Sequence, residues 1–364
     1  MKISQTSPPL SANSATVDAP GITVLVCGYN SAARLPATLA ALAQLEAPIG
    51  YNVEVLIIDN ASTDTTTVVV QQTLSALNLP FSTEVLYEGQ AGKSHALEQG
   101  FACARYRYVC IVDDDNWLAP NYLNLAWEIM EANPQIGALG GVGEPVCEVI
   151  PPAWFAEFAI DYAAGPQAAQ SGDITAAAGY LYGAGTIMRR AAWQQVHAVG
   201  FKSLLTGRKG NNLSSGEDNE MCFAIALAGY RIWFDDRLHF RHFIPTQRLT
   251  WDYVRRLYAG NAESSVNLLP YHHFMRCGTK CHIPTLPWLR NGIYAGLFTL
   301  RAGWQVVRLG RLGAVREGDR TALLVAFYWR SFQLYMQKEV TSDTKFEQVH
   351  TLRQRLMMAK ESAA

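Results

Sequence analysis

The sequence has almost no net charge: 30 Lys and Arg against 31 Asp and Glu leave −1 at neutral pH, with a pI near 6.7. No global basic field draws in a polyanion, so a nucleic-acid partner is not expected. A long apolar run is missing as well. Residues 284–335 are rich in apolar side chains but broken by Arg290, Arg301, Arg308, Arg311, Arg316, Arg320 and Arg330, and the longest arginine-free stretch, Asn291 to Leu300, is ten residues. A bilayer crossing takes about 20. Residues 1–20 are rich in Ser, Ala, Thr and Pro and have neither the basic nor the apolar segment of a secretory leader, so a disordered tail is expected there. Without a leader, the sequon at Asn212 carries no weight as a glycosylation site. Paired cysteines are scarce too. Of the seven, Cys27, Cys103, Cys110, Cys147, Cys222, Cys277 and Cys281, only the last two are close in sequence. With His272, His273 and His282 they fit no common zinc-finger spacing, and reduced thiols are the expectation, which suits a cytoplasmic compartment.

What is present is a large stock of core-forming residues. A chain of 364 residues, 49% of them apolar, can fill one large domain or two smaller ones. Ile22 to Cys27 and Val53 to Ile58 are short β-branched runs, each stopping at a Gly or Asp, and read as buried parallel strands. Between them Leu35, Leu39, Leu42 and Leu45 recur at helical spacing. The alternation continues with a helix over Asp64 to Leu77, a strand over Thr83 to Tyr87, a helix over Ser94 to Ala104 and a strand over Tyr108 to Val112. Such a pattern predicts an α/β fold with a doubly wound sheet flanked by helices. Ligands of such sheets bind at the carboxyl edge, where Asp59, Asp113 and Asp115 all fall.

Three consecutive carboxylates, Asp113, Asp114 and Asp115, repel one another at a strand end unless a cation or hydrogen-bond donors offset them. A divalent metal does this most simply, and hard oxygen ligands select Mg2+ or Mn2+, which keep positions open for substrate phosphates. A helix cap and turn before Pro120 is the alternative. Lys93 follows Gly89 and Gly92 and opens a helix, a place where a flexible backbone, a helix N-terminus and a cation all face phosphate. Glu217 and Asp218 sit between a polar stretch, Thr206 to Ser215, and an apolar helix, Met221 to Ala228, where they can act as caps or in catalysis. The polar stretch, with Gly207, Arg208, Lys209 and Gly210, reads as a loop able to order over a ligand. In Leu238 to Phe243 apolar and polar residues alternate, so His and Arg are expected to share one face of a short strand. Trp154, Tyr180, Tyr182 and Trp193 surround Gly183-Ala184-Gly185, and their rings suit either sugar stacking or core packing.

Taken together, Cys27-Gly28-Tyr29-Asn30, Ile58-Asp59-Asn60-Ala61-Ser62-Thr63-Asp64, Gly92-Lys93-Ser94 and Val112-Asp113-Asp114-Asp115 resemble, in order and spacing, the nucleotide-binding half of a family 2 glycosyltransferase of GT-A fold. The resemblance covers about residues 21–260. It implies an inverting, metal-dependent transfer of a sugar from a nucleotide diphosphate donor, a UDP-sugar being favoured, to a sugar or lipid-linked acceptor in polysaccharide or glycolipid assembly. It places Cys27, Tyr29, Asn30, Asp59, Lys93, Asp113, Asp114 and Arg248 at the donor, with Asp59 on the base and Asp113 toward ribose and metal. Asp115 becomes a direct metal ligand, and His242, with His239 as the fallback, an additional one. Asp218, with Glu217 beside it, becomes the general base. One departure is clear: processive synthases of the family carry Gln-x-x-Arg-Trp, whereas this chain has Gln247-Arg248-Leu249-Thr250-Trp251, which favours single addition.

The expected organisation is a tail over 1–20, a GT-A domain over 21–282 with its nucleotide-binding half at 21–136 and its acceptor half at 137–282, and a helical region over 283–364. That last region reads as amphipathic helices, suited to the inner face of the plasma membrane or to a homodimer surface. Two rival classes remain: a sugar-phosphate nucleotidyltransferase, whose Gly-rich signature near the amino terminus is missing after Ile22, and a non-catalytic nucleotide-sugar binding protein, which has no need of Asp218.

Overall fold

A computed structural model of the chain describes residues 19–205, 215–277, 281–308, 317–337 and 343–363. Most of the expected tail, the Asn212 sequon, Arg311, Arg316 and nearly all of the Thr206 to Ser215 loop, with Gly207, Arg208, Lys209 and Gly210, lie outside the described residues. The strands are β1 Ala19–Gly28, β2 Asn52–Asn60, β3 Ser82–Glu88, β4 Tyr106–Asp113, β5 Asn116–Leu118, β6 Ile136–Cys147, β7 Gly172–Asp173, β8 Ile187–Arg189 and β9 Arg231–Ile244. The helices are α1 Leu35–Leu42, α2 Thr66–Ala76, α3 Lys93–Cys103, α4 Tyr122–Ala132, α5 Phe155–Phe158, α6 Arg190–Ala198, α7 Glu217–Leu227, α8 Trp251–Asn267, α9 Leu269–Arg276, α10 Pro287–Arg308, α11 Arg320–Met336 and α12 Asp343–Ala363.

The chain divides into two compact units, each assembled from several segments. The first holds residues 1–146, 159–198 and 221–244 and contains the sheet, ordered β3-β2-β1-β4-β8-β6-β9-β5 with β7 paired to β9. Its first four strands are parallel, and β8 then runs antiparallel to β4. The parallel strands are the near-continuous apolar runs of the sequence, as both of their faces are covered. Ile22, Val24, Val26, Val55, Ile57, Cys110 and Val112 form one core with Leu35, Leu39 and Leu42 of α1. Gly100 brings α3 directly onto Leu25, where a Cβ would overlap the leucine.

Register fixes the functional edge. Gly28 pairs with Asp59 and Cys27 with Asp113, so three strand ends finish side by side. Chain order reverses between β1 and β4, which makes this the switch point where an open α/β sheet forms its crevice.

The second unit holds residues 147–158, 199–220 and 245–364. Here α10 packs along α11, α11 along α8, and α12 along α9. Thr250 caps α8 by accepting from the Tyr253 N–H, and Asp319 caps α11 by accepting from the N–H groups of Thr321 and Ala322. Among the described residues no helix is long and apolar enough to cross a membrane.

Candidate active site

The loops after β1 and β2 are stitched together by Asn30. Its backbone sits in the left-handed region, φ 47°, and its side-chain oxygen accepts from the N–H of Thr63 at 2.8 Å and of Asp64 at 3.3 Å, while its own N–H donates to the Ser62 hydroxyl at 3.0 Å. Asn is among the few side chains that tolerate this conformation, because it bonds locally. Asp59 is buried at the end of β2 and accepts from the Ser62 N–H and the Thr67 hydroxyl. Each carboxylate oxygen has two lone pairs, so these bonds leave acceptor capacity for a base. Tyr29 is half exposed at the same edge.

Asn60 ties in the third motif. Its amide donates to the Gln90 carbonyl at 2.7 Å and accepts from the Gly92 N–H at 2.9 Å. Gly92, at φ 137°, leads into α3, whose first residue, Lys93, places its ammonium 2.8 Å from Asp113 Oδ1. The sheet edge thus carries its own cation beside the first aspartate of the triplet.

The three aspartates separate by environment. Asp114 turns toward α1: Arg34 donates to it at 2.6 Å, the Ser31 hydroxyl donates to the same oxygen, and its carbonyl accepts from Thr38 at 2.7 Å. Burial pushes its carboxyl up from the usual range, against the lowering effect of Arg34. In return the bond to Asp114 raises Arg34. Asp115 is buried and lies 3.6 Å, through Oδ2, from His242 Nε2. His242 is itself buried, and its Nδ1 lies 2.7 Å from the Tyr162 carbonyl. A carbonyl only accepts, so Nδ1 carries the proton; in the neutral ring the Nε2 lone pair then faces Asp115. This is the tautomer a metal-binding imidazole requires, and Asp115 beside it is a hard oxygen ligand of the kind Mn2+ or Mg2+ takes.

His242 reaches this position by a route the alternation did not anticipate. β9 is 14 residues long, and His242 follows Leu238 and Phe240 on its buried face. His239 and Arg241 lie on the other face, His239 against Glu144 at 2.8 Å and Arg241 over the Trp117 ring.

In the second unit Gly216, at φ 124°, leads into α7, whose first turn holds Glu217, Asp218 and Glu220. Glu217 is buried and accepts from the Gly216 N–H at 3.0 Å. Asp218 is half-buried. Glu220, which the sequence did not single out, accepts from the Ser203 hydroxyl at 2.5 Å and the Leu204 N–H at 2.7 Å, and burial pushes its carboxyl up to about 7. Arg248 ends a 3-10 turn, Thr246–Arg248, just before α8. Trp154 packs edge-on against Phe158 and Trp251, and in the first unit Trp193 packs against Phe101 and Tyr180 against Phe223.

The cysteines differ from expectation at one place. Cys277 and Cys281 form a disulfide at the end of α9, and His273 Nε2 lies 3.6 and 3.3 Å from the two sulfurs. These three are the cluster of potential metal ligands found among the described residues, but in the disulfide the sulfurs are bonded to each other.

Residues 23–196 match the family described as Glycosyl transferase family 2. That stretch, just under half of the chain, is similar to the family. The match takes in both stitched loops, Lys93 and the aspartate triplet. The chain is 32% identical over 124 residues to a poly-beta-1,6-N-acetyl-D-glucosamine synthase of Staphylococcus epidermidis, a stretch equal to 33% of this chain and 28% of that one. It therefore spans less than a third of the length of the curated relatives it matches. Among solved structures, a mannosyltransferase from Pyrobaculum calidifontis in complex with GDP-Man and Mn2+ superposes with a TM-score of 0.55 at 19% identity, covering 89% of this chain and 90% of that one. Residues 1–349 of S. aureus TarS give a TM-score of 0.46 at 15% identity over 88% and 91%. The likeness to the mannosyltransferase supports the GT-A fold for this chain.

The residues that sequence reasoning missed mostly act through the backbone or through packing. Tyr162 orients His242 by its carbonyl, which leaves no mark in the sequence. Ser31, Arg34 and Thr38 hold Asp114 from a helix start that leucine spacing alone described.

Proposed function

We propose that this chain is an inverting glycosyltransferase that moves a single sugar from a nucleotide diphosphate donor to an acceptor hydroxyl. The observation that carries the reading is the sheet edge itself. Asp59, Lys93, Asp113 and Asp115 stand at the switch point, and His242 turns Nε2 toward Asp115 while its Nδ1 lies against the Tyr162 carbonyl. Asp115 and His242, with Asp113, would hold Mn2+ or Mg2+, which supplies charge neutralisation for a departing diphosphate. Asp59 receives the base, a uracil in the favoured reading, and the exposed Tyr29 ring offers it a stacking face. Lys93 binds diphosphate oxygens from the N-terminus of α3, where the helix dipole adds to its charge. Asp113, which lies 2.8 Å from Lys93, would serve the ribose and metal, and Arg248 is the further cation for the diphosphate.

Asp218 takes the proton from the acceptor hydroxyl as that oxygen attacks the anomeric carbon from the face opposite the leaving group. A direct displacement of this kind inverts the configuration. Glu217, which accepts from the backbone at the start of α7, positions that turn. The departure at Gln247 to Trp251 supports single addition rather than polymerisation. The acceptor is a sugar or lipid-linked glycan built on the cytoplasmic side, in polysaccharide or glycolipid assembly.

The test is turnover against binding. Metal-dependent release of nucleotide diphosphate from a donor panel should fall by about 10²-fold or more in Asp218→Asn, as for other general bases, while calorimetry finds donor affinity unchanged. Unaltered release in that variant removes Asp218 as the base.

A further inference from the structure

We infer that the outward face of α10 is a lipid-contact surface that seats the chain on an anionic bilayer. This inference rests on the second unit alone and does not depend on the transferase reading.

An ordinary surface helix buries its large apolar side chains; α10 leaves most of its own exposed. Toward α11 it presents Gly292, Ala295, Gly296 and Ala302; a Cβ on Gly292 would come within 2.6 Å of Met336, and one on Gly296 within 3.4 Å of Phe332. Outward it turns Leu289, Ile293, Leu297, Leu300, Trp304 and Val307, between 38% and 72% exposed. Their spacing of four, four, three, four and three residues keeps all six on one stripe along the helix. Small residues, joined by Phe298 stacked on Tyr328, make the inner contact, and the six large ones of the stripe are left uncovered. An apolar stripe of this length on a monomer marks a contact surface.

Charge decides what covers it. No acid occurs anywhere in α10, and its three arginines, Arg290, Arg301 and Arg308, follow Leu289, Leu300 and Val307 by one position, so they line a single edge of the stripe. None of the three has an ion-pair partner among the described residues, unlike Arg320 with Glu157 and Arg330 with Glu263. A second copy laid antiparallel on the stripe would set this edge against itself, arginine against arginine, with no acid on the helix to offset it. Phospholipid headgroups supply the missing negative charge, and the acyl boundary supplies the apolar phase. Trp304, and Tyr294 close to the arginine edge, suit the interface between the two. With arginine in its interior and no window apolar enough to span, α10 lies in the surface plane.

Flotation of the full chain with vesicles tests this. The chain should float with phosphatidylcholine vesicles containing a quarter phosphatidylglycerol and stay at the bottom with phosphatidylcholine alone. Leu297→Glu/Trp304→Glu should abolish flotation, and the triple replacement of Arg290, Arg301 and Arg308 by Ala should cut it at least threefold, with both variants keeping the wild-type circular dichroism and melting temperature. The arginine variant alters only exposed side chains, so it decides the matter if the first variant misfolds. Failure of the wild type to float, or flotation unchanged in a folded variant, overturns the inference. A concentration-dependent dimer in sedimentation, lost in the Leu297→Glu/Trp304→Glu variant while vesicles bind neither protein, assigns the stripe to a second copy instead. Nucleotide binding measured on the same samples separates this outcome from any failure of the transferase reading.

Discussion

At the scale of single residues, two buried ionisable side chains carry opposite lessons. His242 was singled out by resemblance, as a late strand histidine, but its ring is oriented by the Tyr162 carbonyl, 80 positions away in the chain and invisible to any pattern of side chains. His242→Ala should therefore lower Mn2+ affinity in the presence of a nucleotide by about tenfold or more, the scale of losses around metal-bound histidines; titration followed by the Mn2+ electron paramagnetic resonance signal reads it. Glu220 was not legible, since a third acid in a helix's first turn looks like a solvated cap. Burial instead pushes it up to about 7, above the roughly 4.3 of an unfolded glutamate. The folded chain then holds this proton more tightly than the unfolded one. Its stabilising effect is full below about pH 4.3 and is lost as pH rises through about 7. Glu220→Gln keeps the shape and removes the titration, so the difference in melting temperature between variant and wild type should grow in the variant's favour from pH 5 to pH 8. A constant difference across that range contradicts the assignment.

At the scale of elements, periodicity located the parallel strands to within two residues over most of their ends, because a strand buried on both faces must be apolar throughout. The expected runs at Thr83 to Tyr87 and Tyr108 to Val112 appear as Ser82–Glu88 and Tyr106–Asp113. β9 was underestimated, since its 14 residues are pinned by antiparallel partners at distant positions, β5 and β7, and not by a local signal. The turn into α3 shows how an element's end sets the reach of a side chain. Gly92 at φ 137° donates to Asn60 and sets the helix start, and with it the reach of Lys93 to the sheet edge. Gly92→Ala forces a side chain into a conformation that L-residues avoid, at a cost of roughly 1–2 kcal/mol. Urea unfolding should register that loss, and nucleotide affinity should fall with it because Lys93 is displaced. Lys93→Ala, which leaves the turn intact, should lose affinity without the loss of stability.

At the scale of the whole molecule, composition and packing answer different questions. The sequence changes character near residue 283, where arginines begin to interrupt apolar stretches, yet α8 and α9, which precede that point, pack with α11 and α12 in the second unit. Which apolar faces meet is decided by shape and not by composition, so no reading of one sequence could draw that division. Ligand linkage offers a test that needs no knowledge of the acceptor. A ligand that binds only the folded state at 100 times its dissociation constant stabilises it by about 2.7 kcal/mol. For a domain of roughly 200 residues, about the size of the first unit, that raises the melting temperature by about 5–10 °C. The metal readings of Asp115 and His242 require this rise to depend on nucleotide and metal together: UDP with Mn2+ should give the full shift, and UDP with a chelator only a fraction of it. In Asp115→Asn the Mn2+ increment should vanish while the chelator-insensitive part, carried by Asp59 and Lys93, persists. A larger shift with GDP than with UDP would move the base assignment of Asp59 away from uracil, whereas equal shifts with and without Mn2+ would separate donor binding from the metal altogether.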